Sequence, residues 1–127
     1  MAVSLTSTIN LNFGSLVIVP ETGLILNNEM NDFSVPNTTN EFGYLPSPAN
    51  FIRPRKRPLS SITPVIVDSL NNETNSQTLY FVTGGAGGSR IITSTVLSLW
   101  RVLDQKMSLI EALEAPRWHD QLIPNSV

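Results

Sequence analysis

Apolar side chains in the first two-thirds of the chain predict short strands separated by polar, turn-rich links. Residues 2–9 alternate between apolar and polar side chains, as in a half-buried strand. Together with several continuous apolar runs, this pattern predicts strands at 2–9, 16–19, 24–26, 63–67 and 78–82. The polar segment 68–77 should connect the last two strands as a hairpin-like loop, which makes them partners.

Apolar side chains in the last third of the chain predict two helices. Between 92 and 103 they recur at near-helical spacing, which indicates a helix that ends near Lys106. The sequence SLIE at 108–111 matches a capping box for a second, shorter helix, and Pro116 should stop it. Because the strands come first and the helices follow, the order predicts an α+β fold rather than alternating βαβ units.

A long irregular loop separates the early strands from the later ones. Residues 35–58 contain five prolines among asparagine, glycine and serine, and loops of this length are usually functional or disordered. The basic run at 53–57 is compatible with a localisation signal or a nucleic-acid patch. No aromatic side chains interleave with it, and the net charge of the chain is −2, so both observations disfavour nucleic acid as a partner.

Composition restricts the chemistry that the chain can support. Its 127 residues suffice for one domain with a core, and the charged fraction of 14% suggests that a partner chain or other domains cover much of the surface. The absence of cysteine excludes disulfides and cysteine-based metal sites. A single histidine leaves little scope for a histidine-rich metal site, so we expect no metal and no cofactor. No apolar run reaches the ~18 residues of a spanning helix, and we expect no signal peptide.

The stretch TGGAGGSR at 83–90 holds four of the seven glycines, between a predicted strand and a predicted helix. It lacks the lysine of a phosphate-binding loop, and Arg90 stands where a dinucleotide fingerprint needs its last glycine. A bare turn before a helix can present N–H groups to an anion, or to an oxyanion formed during acyl transfer. A tight turn that requires positive φ is the alternative interpretation.

Three further positions carry candidate chemistry. Glu29 and Asp32 are three residues apart and could clamp an ammonium group, or simply belong to a solvated loop; a metal site would need more oxygen ligands. The adjacent hydroxyls of Ser60 and Ser61 can hold a carboxylate, although a plain turn is the simpler interpretation. The single histidine, His119, follows a predicted helix end and is expected to be structural.

Five motifs, taken in order, resemble the small subunit of γ-glutamyltranspeptidases (glutathione hydrolases). They are TIN at 8–10, LNNEMNDFS at 26–34, KRPLSSITP at 56–64, GGSRI at 87–91 and APRWH at 115–119. The resemblance implies part of an N-terminal-nucleophile hydrolase with an αββα sandwich, in which residues 1–127 form a partial small-subunit domain with a long loop at about 35–58. It also implies γ-glutamyl transfer from glutathione and its conjugates, and their hydrolysis, by a precursor that cleaves itself into two subunits.

The resemblance assigns roles to the candidate residues. The hydroxyl of Thr8 should lie beside the nucleophile, and the backbone of Gly87 and Gly88 should form the oxyanion hole. The α-amino end of the glutamyl group should be held by Asn10, Glu29 and Asp32, with Asn10 also near the carboxylate, and the α-carboxylate should be bound by Ser60 and Ser61.

The resemblance also implies partners and compartments. Glutathione or other γ-glutamyl compounds would be substrates, and amino acids or dipeptides would be acceptors. The large subunit of the same precursor would supply an arginine for the α-carboxylate. Members of the family occur at the cell surface, as secreted proteins or in the fungal vacuole.

The chain departs from the family pattern at the nucleophile. In the family an N-terminal threonine begins a Thr-Thr-His or Thr-Ser-His segment, and neither tripeptide occurs here. Thr6 and Thr8 lie within a predicted strand and lack the free amine that such a threonine uses as its base. We therefore expect the nucleophile upstream and the isolated chain to be inactive. A truncated product or binding remnant that needs partner subunits is one alternative, and an unrelated anion-binding domain is another.

Overall fold

The computed structural model describes residues 1–123, which belong to two compact units. The first unit contains residues 1–6 and 61–120, and the second contains residues 7–60 with the segment that begins at Gln121. Within the described residues all strands precede both α-helices, which confirms the predicted α+β class. No helix in this part of the chain has the length and apolar character needed to cross a membrane.

The strands of the first unit form an antiparallel hairpin. Strands β3 (Val65–Asn71) and β4 (Ser76–Thr83) pair, which confirms the predicted partnership. The side chain of Asn71 accepts hydrogen bonds from the backbone N–H groups of Glu73 (2.9 Å) and Thr74 (3.1 Å) and thereby shapes the turn. The ladder runs through most of the segment predicted to be loop, because backbone pairing does not require apolar side chains.

A bulge in β4 determines which of its aromatic side chains faces the core. Val67 pairs with Phe81, but the next residue, Asp68, pairs with Leu79, so that Tyr80 is the extra residue. Phe81 is buried, whereas Tyr80 is exposed and meets the Phe81 ring edge-to-face at 5.3 Å. The hairpin therefore presents one apolar side to the helices.

Helices α1 (Ile91–Leu103) and α2 (Leu109–Glu114) complete the first unit. Its core consists of Phe81, Val102 and Ala112, with Val67, Leu99 and Met107 packed around them. The predicted end of α1 at Lys106 is wrong by three residues, since Lys106 has φ +59° and its ammonium caps the carbonyl of Leu103 (2.6 Å).

The capping box of α2 is confirmed. The Ser108 hydroxyl accepts from the backbone N–H of Glu111 (3.3 Å), and the Glu111 carboxylate accepts from the backbone N–H of Ser108 (2.8 Å). Hydrogen bonds between the Glu111 carboxylate and the side chain and backbone of Ser108 favour the charged form and lower the pKa of Glu111 below its usual value. The far end of α2 is held by Arg101 of α1, which donates to the carbonyls of Ala112 (3.3 Å), Ala115 (3.1 Å) and Pro116.

The predicted strand at 2–9 is absent from the structure. Ser4 instead reaches the end of β4 with its hydroxyl, which donates to the Thr83 carbonyl (3.0 Å). Val3 and Leu5 are 71% and 85% exposed, so these apolar side chains are not buried in the core of the first unit. An alternating pattern specifies a strand only where a neighbouring backbone completes the ladder.

The second unit has little regular structure. Strands β1 (Ile18–Val19) and β2 (Leu24–Ile25) form a two-residue ladder that is shorter than the strands predicted at 16–19 and 24–26. Ile18 is 57% exposed, although the continuous apolar run at 16–19 predicts a buried strand. The loop at 35–58 is irregular as predicted, apart from a 3₁₀ turn at Pro48–Asn50 and a single bridge.

Candidate active site

Two carboxyl groups share a half-buried 3₁₀ turn at Glu29–Asp32 in the second unit. Burial, a hydrogen bond to Asp32 and the negative charge of Asp32 raise the pKa of Glu29 to about 7. The Oε1 atom of Glu29 is buried without a hydrogen-bond partner. Among residues 1–123 no third histidine, aspartate or glutamate joins this pair to make a potential metal site.

Asn10 and Asn28 hold the segment at 8–11 against the residue that precedes the acidic turn. The Asn10 amide donates to the Asn28 carbonyl (3.2 Å), and the Asn28 amide oxygen accepts from the Leu11 N–H (3.1 Å). The Thr8 hydroxyl accepts from the Asn10 N–H (2.8 Å) and supports positive φ at Asn10 (+74°). Thr8, Asn10 and the acidic turn are therefore brought together within the second unit.

A single asparagine side chain connects the acidic turn to the serine motif. The Asn50 amide nitrogen donates to the Asp32 carbonyl (2.7 Å) and to the Ser34 hydroxyl (3.2 Å). Its amide oxygen accepts from the N–H of Leu59 (2.9 Å), the residue before Ser60. Asn50 therefore fixes the approach to Ser60 relative to the carboxyl groups.

The predicted site residues divide between the two units. Thr8, Asn10, Glu29, Asp32 and Ser60 belong to the second unit, whereas Ser61, Gly87 and Gly88 belong to the first. The serine pair is thus split at its peptide bond. In the first unit the Thr63 hydroxyl donates to the Ser61 carbonyl (2.8 Å).

The glycine stretch separates into two pairs with different backbone requirements. Gly87 (φ +135°) and Gly88 (φ +60°) adopt positive φ, whereas Gly84 and Gly85 do not. A Cβ atom on Gly85 would make only ordinary contacts, at 3.6 Å from the Thr95 hydroxyl, and one on Gly87 would meet nothing within 4 Å. The need for glycine at Gly87 is therefore conformational rather than steric.

The second glycine pair leads directly into α1. A 3₁₀ turn at Gly88–Arg90 precedes the helix, and the Arg90 N–H donates to the Gly87 carbonyl (3.2 Å). Within residues 1–123 no side chain caps either the 3₁₀ turn or α1. A helix N-terminus of this kind presents backbone N–H groups and a partial positive charge to an anion.

Sequence reasoning missed the supporting residues Asn28, Asn50, Thr93 and Arg101. The bonds of Asn50 span 16 to 18 residues back along the chain and nine forward, and no local spacing reveals such contacts. His119, expected to be structural, lies with its Nδ1 atom 2.8 Å from the Thr93 hydroxyl on α1.

Comparison with known proteins agrees with the resemblance. A family model described as gamma-glutamyltranspeptidase matches residues 1–127. The chain is 64% identical to the glutathione hydrolase proenzyme of Arthroderma benhamiae over 125 residues, which are 98% of this chain and 20% of that protein. It is 47% identical to the putative inactive glutathione hydrolase 4 of Arabidopsis thaliana, and covers 63% of it.

Solved structures show the same similarity. The γ-glutamyltranspeptidase of Pseudomonas nitroreducens complexed with L-DON superposes with a TM-score of 0.84 at 44% identity, over 97% of this chain and 61% of that one. In length, this chain spans about a fifth of a curated proenzyme such as that of A. benhamiae.

Proposed function

The chain belongs to the γ-glutamyltranspeptidase family, and we propose that it forms the substrate pocket and oxyanion hole of an enzyme that transfers or hydrolyses γ-glutamyl groups. Relatives named as glutathione hydrolases are consistent with glutathione and its conjugates as substrates. The observation that carries the proposal is the carboxyl pair Glu29–Asp32, which is half-buried and has one unpartnered oxygen.

This carboxyl pair suits the α-ammonium group of a γ-glutamyl substrate. In the free protein the pair still holds a proton in part of the molecules near neutral pH, because burial, the hydrogen bond to Asp32 and the charge of Asp32 together raise the pKa of Glu29 to about 7. An ammonium group donates to both carboxylates and replaces that proton, so both acids ionise when substrate binds. The unpartnered Oε1 of Glu29 then gains its hydrogen-bond donor.

The α-carboxylate of the same substrate requires neutral or cationic donors. The hydroxyls of Ser60 and Ser61 and the amide of Asn10 are assigned to it, and an arginine of the large subunit would supply the balancing charge. Asn50 supports this assignment because it holds Leu59, next to Ser60, and Asp32 through one side chain. Recognition of both charged ends fixes the γ-carbonyl of the substrate relative to the nucleophile.

The Gly87–Gly88 turn is assigned to the reacting carbonyl. We place the threonine nucleophile in the part of the precursor that precedes residues 1–127, beside Thr8. Its oxygen adds to the γ-carbonyl, and the N–H groups of the turn stabilise the resulting oxyanion. Collapse of the tetrahedral intermediate expels the amine and leaves an acyl-enzyme, which water or an amino acid or dipeptide acceptor then resolves.

A chimaeric proenzyme tests the proposal. Residues of this chain replace the matched 125-residue segment of the A. benhamiae proenzyme, with which they are 64% identical. We expect the chimaera to mature into two subunits and to hydrolyse a γ-glutamyl anilide within about tenfold of the parent kcat/KM. The double variant Glu29→Gln/Asp32→Asn is the matched control and should lose this activity. A matured, folded chimaera without turnover, or equal turnover in the double variant, would contradict the proposal.

A second candidate is a product that binds γ-glutamyl compounds without catalysis. It is favoured by the similarity to the Arabidopsis protein named as putatively inactive, which has less than twice the length of this chain. Calorimetry on the 127-residue chain distinguishes the candidates. Binding of glutamate without turnover in the chimaera supports the second candidate, whereas binding of phosphate alone supports an unrelated anion site.

A further inference from the structure

We propose that Thr93 and His119 are positioning residues that fix the Gly87–Gly88 turn from its helix side. The inference rests on the oxyanion role proposed for that turn. Neither residue needs to touch substrate. They act through Arg90, whose N–H donates to the Gly87 carbonyl (3.2 Å) and whose carbonyl accepts from the Thr93 hydroxyl (3.1 Å).

Hydrogen counting sets the direction of this relay. The Thr93 hydroxyl has one hydrogen, which it donates to the Arg90 carbonyl. The His119 Nδ1 atom lies 2.8 Å from the same oxygen, and with the hydroxyl hydrogen already used the relay requires Nδ1 to carry a proton and donate it. The bonds run from His119 through Thr93 to Arg90, and from the Arg90 N–H to Gly87.

The segment that carries His119 is anchored independently of the turn. Arg101 is 7% exposed and donates to carbonyls at the end of α2 and at Ala115 and Pro116, just before His119. Arg101 and Thr93 are eight residues apart on α1, about 12 Å along its axis. The segment at 115–119 thus returns along α1 and is held at both ends.

A threonine in the first turn of a helix often bonds the carbonyl three residues earlier, so the Thr93–Arg90 bond alone would be ordinary. The bond from His119 distinguishes this threonine, because it fixes the hydroxyl rotamer and connects the turn to the α2 end. Glycines tolerate several backbone conformations, whereas an oxyanion site requires its donors within about 0.5 Å. The pair supplies the restraint that two consecutive glycines lack.

The test compares hydroxyl variants of α1 in the active chimaera. Thr93→Val removes the hydroxyl at nearly constant volume and should lower kcat about tenfold with KM unchanged. Thr93→Ser should recover most of that loss. His119→Phe should resemble Thr93→Val, and His119→Asn, which retains a donor near Nδ1, should recover part of it. The matched control is Ser98→Ala, since the buried Ser98 hydroxyl donates to the Ser94 carbonyl (3.1 Å) on its own helix, away from the glycine turn.

The inference is overturned if Thr93→Val and Ser98→Ala have the same kcat. It is also overturned if the two variants lose kcat and thermal stability to the same extent. A second measurement does not depend on turnover. The ¹⁵N shifts of His119, assigned from their loss in His119→Asn, should show a protonated Nδ1; a proton on Nε2 alone would overturn the relay. If the chimaera is inactive but Nδ1 is protonated, the proposed function fails and the relay stands.

Discussion

The two units of the molecule are stabilised by different means. In the first, Phe81, Ile91, Leu97, Val102 and Ala112 are buried apolar side chains, whereas Phe33 is the only large one in the described part of the second. The second unit instead relies on asparagine side chains that bond backbone groups, namely Asn10, Asn28, Asn40 and Asn50.

This difference matches the work assigned to each unit. Two consecutive glycines at positive φ keep one conformation only where the surrounding structure is rigid. The packed core of the first unit provides that rigidity. Carboxyl and hydroxyl groups that bind a charged ligand must be oriented toward it. The amide side chains of the second unit orient them through directional hydrogen bonds, without a packed core. The comparison therefore predicts that the second unit fails mainly in substrate recognition and the first in turnover and stability.

The largest effect is expected from Asp32→Ala in the second unit. Loss of one acceptor of the substrate ammonium should cost about 2–5 kcal/mol, which lowers kcat/KM of the chimaera roughly 30-fold to several-thousand-fold. Glu21→Ala, an exposed acid of the same unit, is the control and should leave kcat/KM unchanged. Steady-state kinetics on a γ-glutamyl anilide measure both variants. Equal kcat/KM values for Asp32→Ala and Glu21→Ala would contradict the assignment of substrate recognition to the second unit.

Arg101→Met should destabilise the first unit locally. The change leaves three carbonyls at the end of α2 without their charged donor, at a cost of about 2–4 kcal/mol. Hydrogen exchange of the α2 amides, followed by mass spectrometry, should accelerate roughly 30- to 700-fold. Arg117→Met is the control, because Arg117 is exposed and bonds one carbonyl, that of Leu113; equal acceleration in both would count against a special role for Arg101.

Gly87→Ala separates conformation from sterics in the glycine turn. Alanine at φ +135° costs about 1–3 kcal/mol, and relaxation of that strain should displace the turn. We expect kcat of the chimaera to fall about 5- to 150-fold. Gly85→Ala introduces the same methyl group without positive φ and should keep most of the activity. The reverse order of the two variants would show that the oxyanion turn has been misplaced.

The smallest effect concerns pH. The pKa of Glu29 is raised from 4.5 to about 7, so the folded state holds a proton that the unfolded chain releases between these values. The stability contributed by Glu29 is therefore full below pH 4.5 and is lost as the pH rises through about 7. Glu29→Gln should remove this slope from thermal unfolding midpoints measured between pH 4 and 8.

Substrate binding should show the opposite dependence, because ammonium recognition uses the ionised pair. The kcat/KM of the chimaera should rise a few-fold through about pH 7, and Glu29→Gln should flatten the rise. A rise that persists in Glu29→Gln would assign it to another group.

Local signals in the sequence predicted the first unit better than the second. The capping box at Ser108 lies within one helical turn, and the hairpin partners are consecutive strands joined by one polar segment, so both patterns are visible in the sequence. The strand expected at 2–9 is absent because a ladder needs a second backbone. The glycine stretch indicated a bare turn, but which two glycines require positive φ depends on how the chain enters α1.

The sequence indicated which residue types belong to the candidate site, but it did not indicate which hydrogen bonds connect them. Ordered motifs identified Glu29, Asp32 and the serine pair as a set, and the family membership that they indicated is confirmed. Asn50 and Thr93 lie outside any recognisable pattern, because their partners are fixed by the fold rather than by spacing.

The lysine in the basic run at 53–57 has a consequence for proteolysis. The Lys56 ammonium bends back onto the carbonyls of Phe51 (3.0 Å) and Ala49, and Lys56 is half-buried, while the neighbouring arginines are exposed. Arg53 and Arg57 each precede a proline, whose ring and missing N–H make the following bond a poor substrate for trypsin-like proteases. A run that resembles a protease target thus offers one accessible bond, between Arg55 and Lys56, and a nick there would release the lysine that closes this loop.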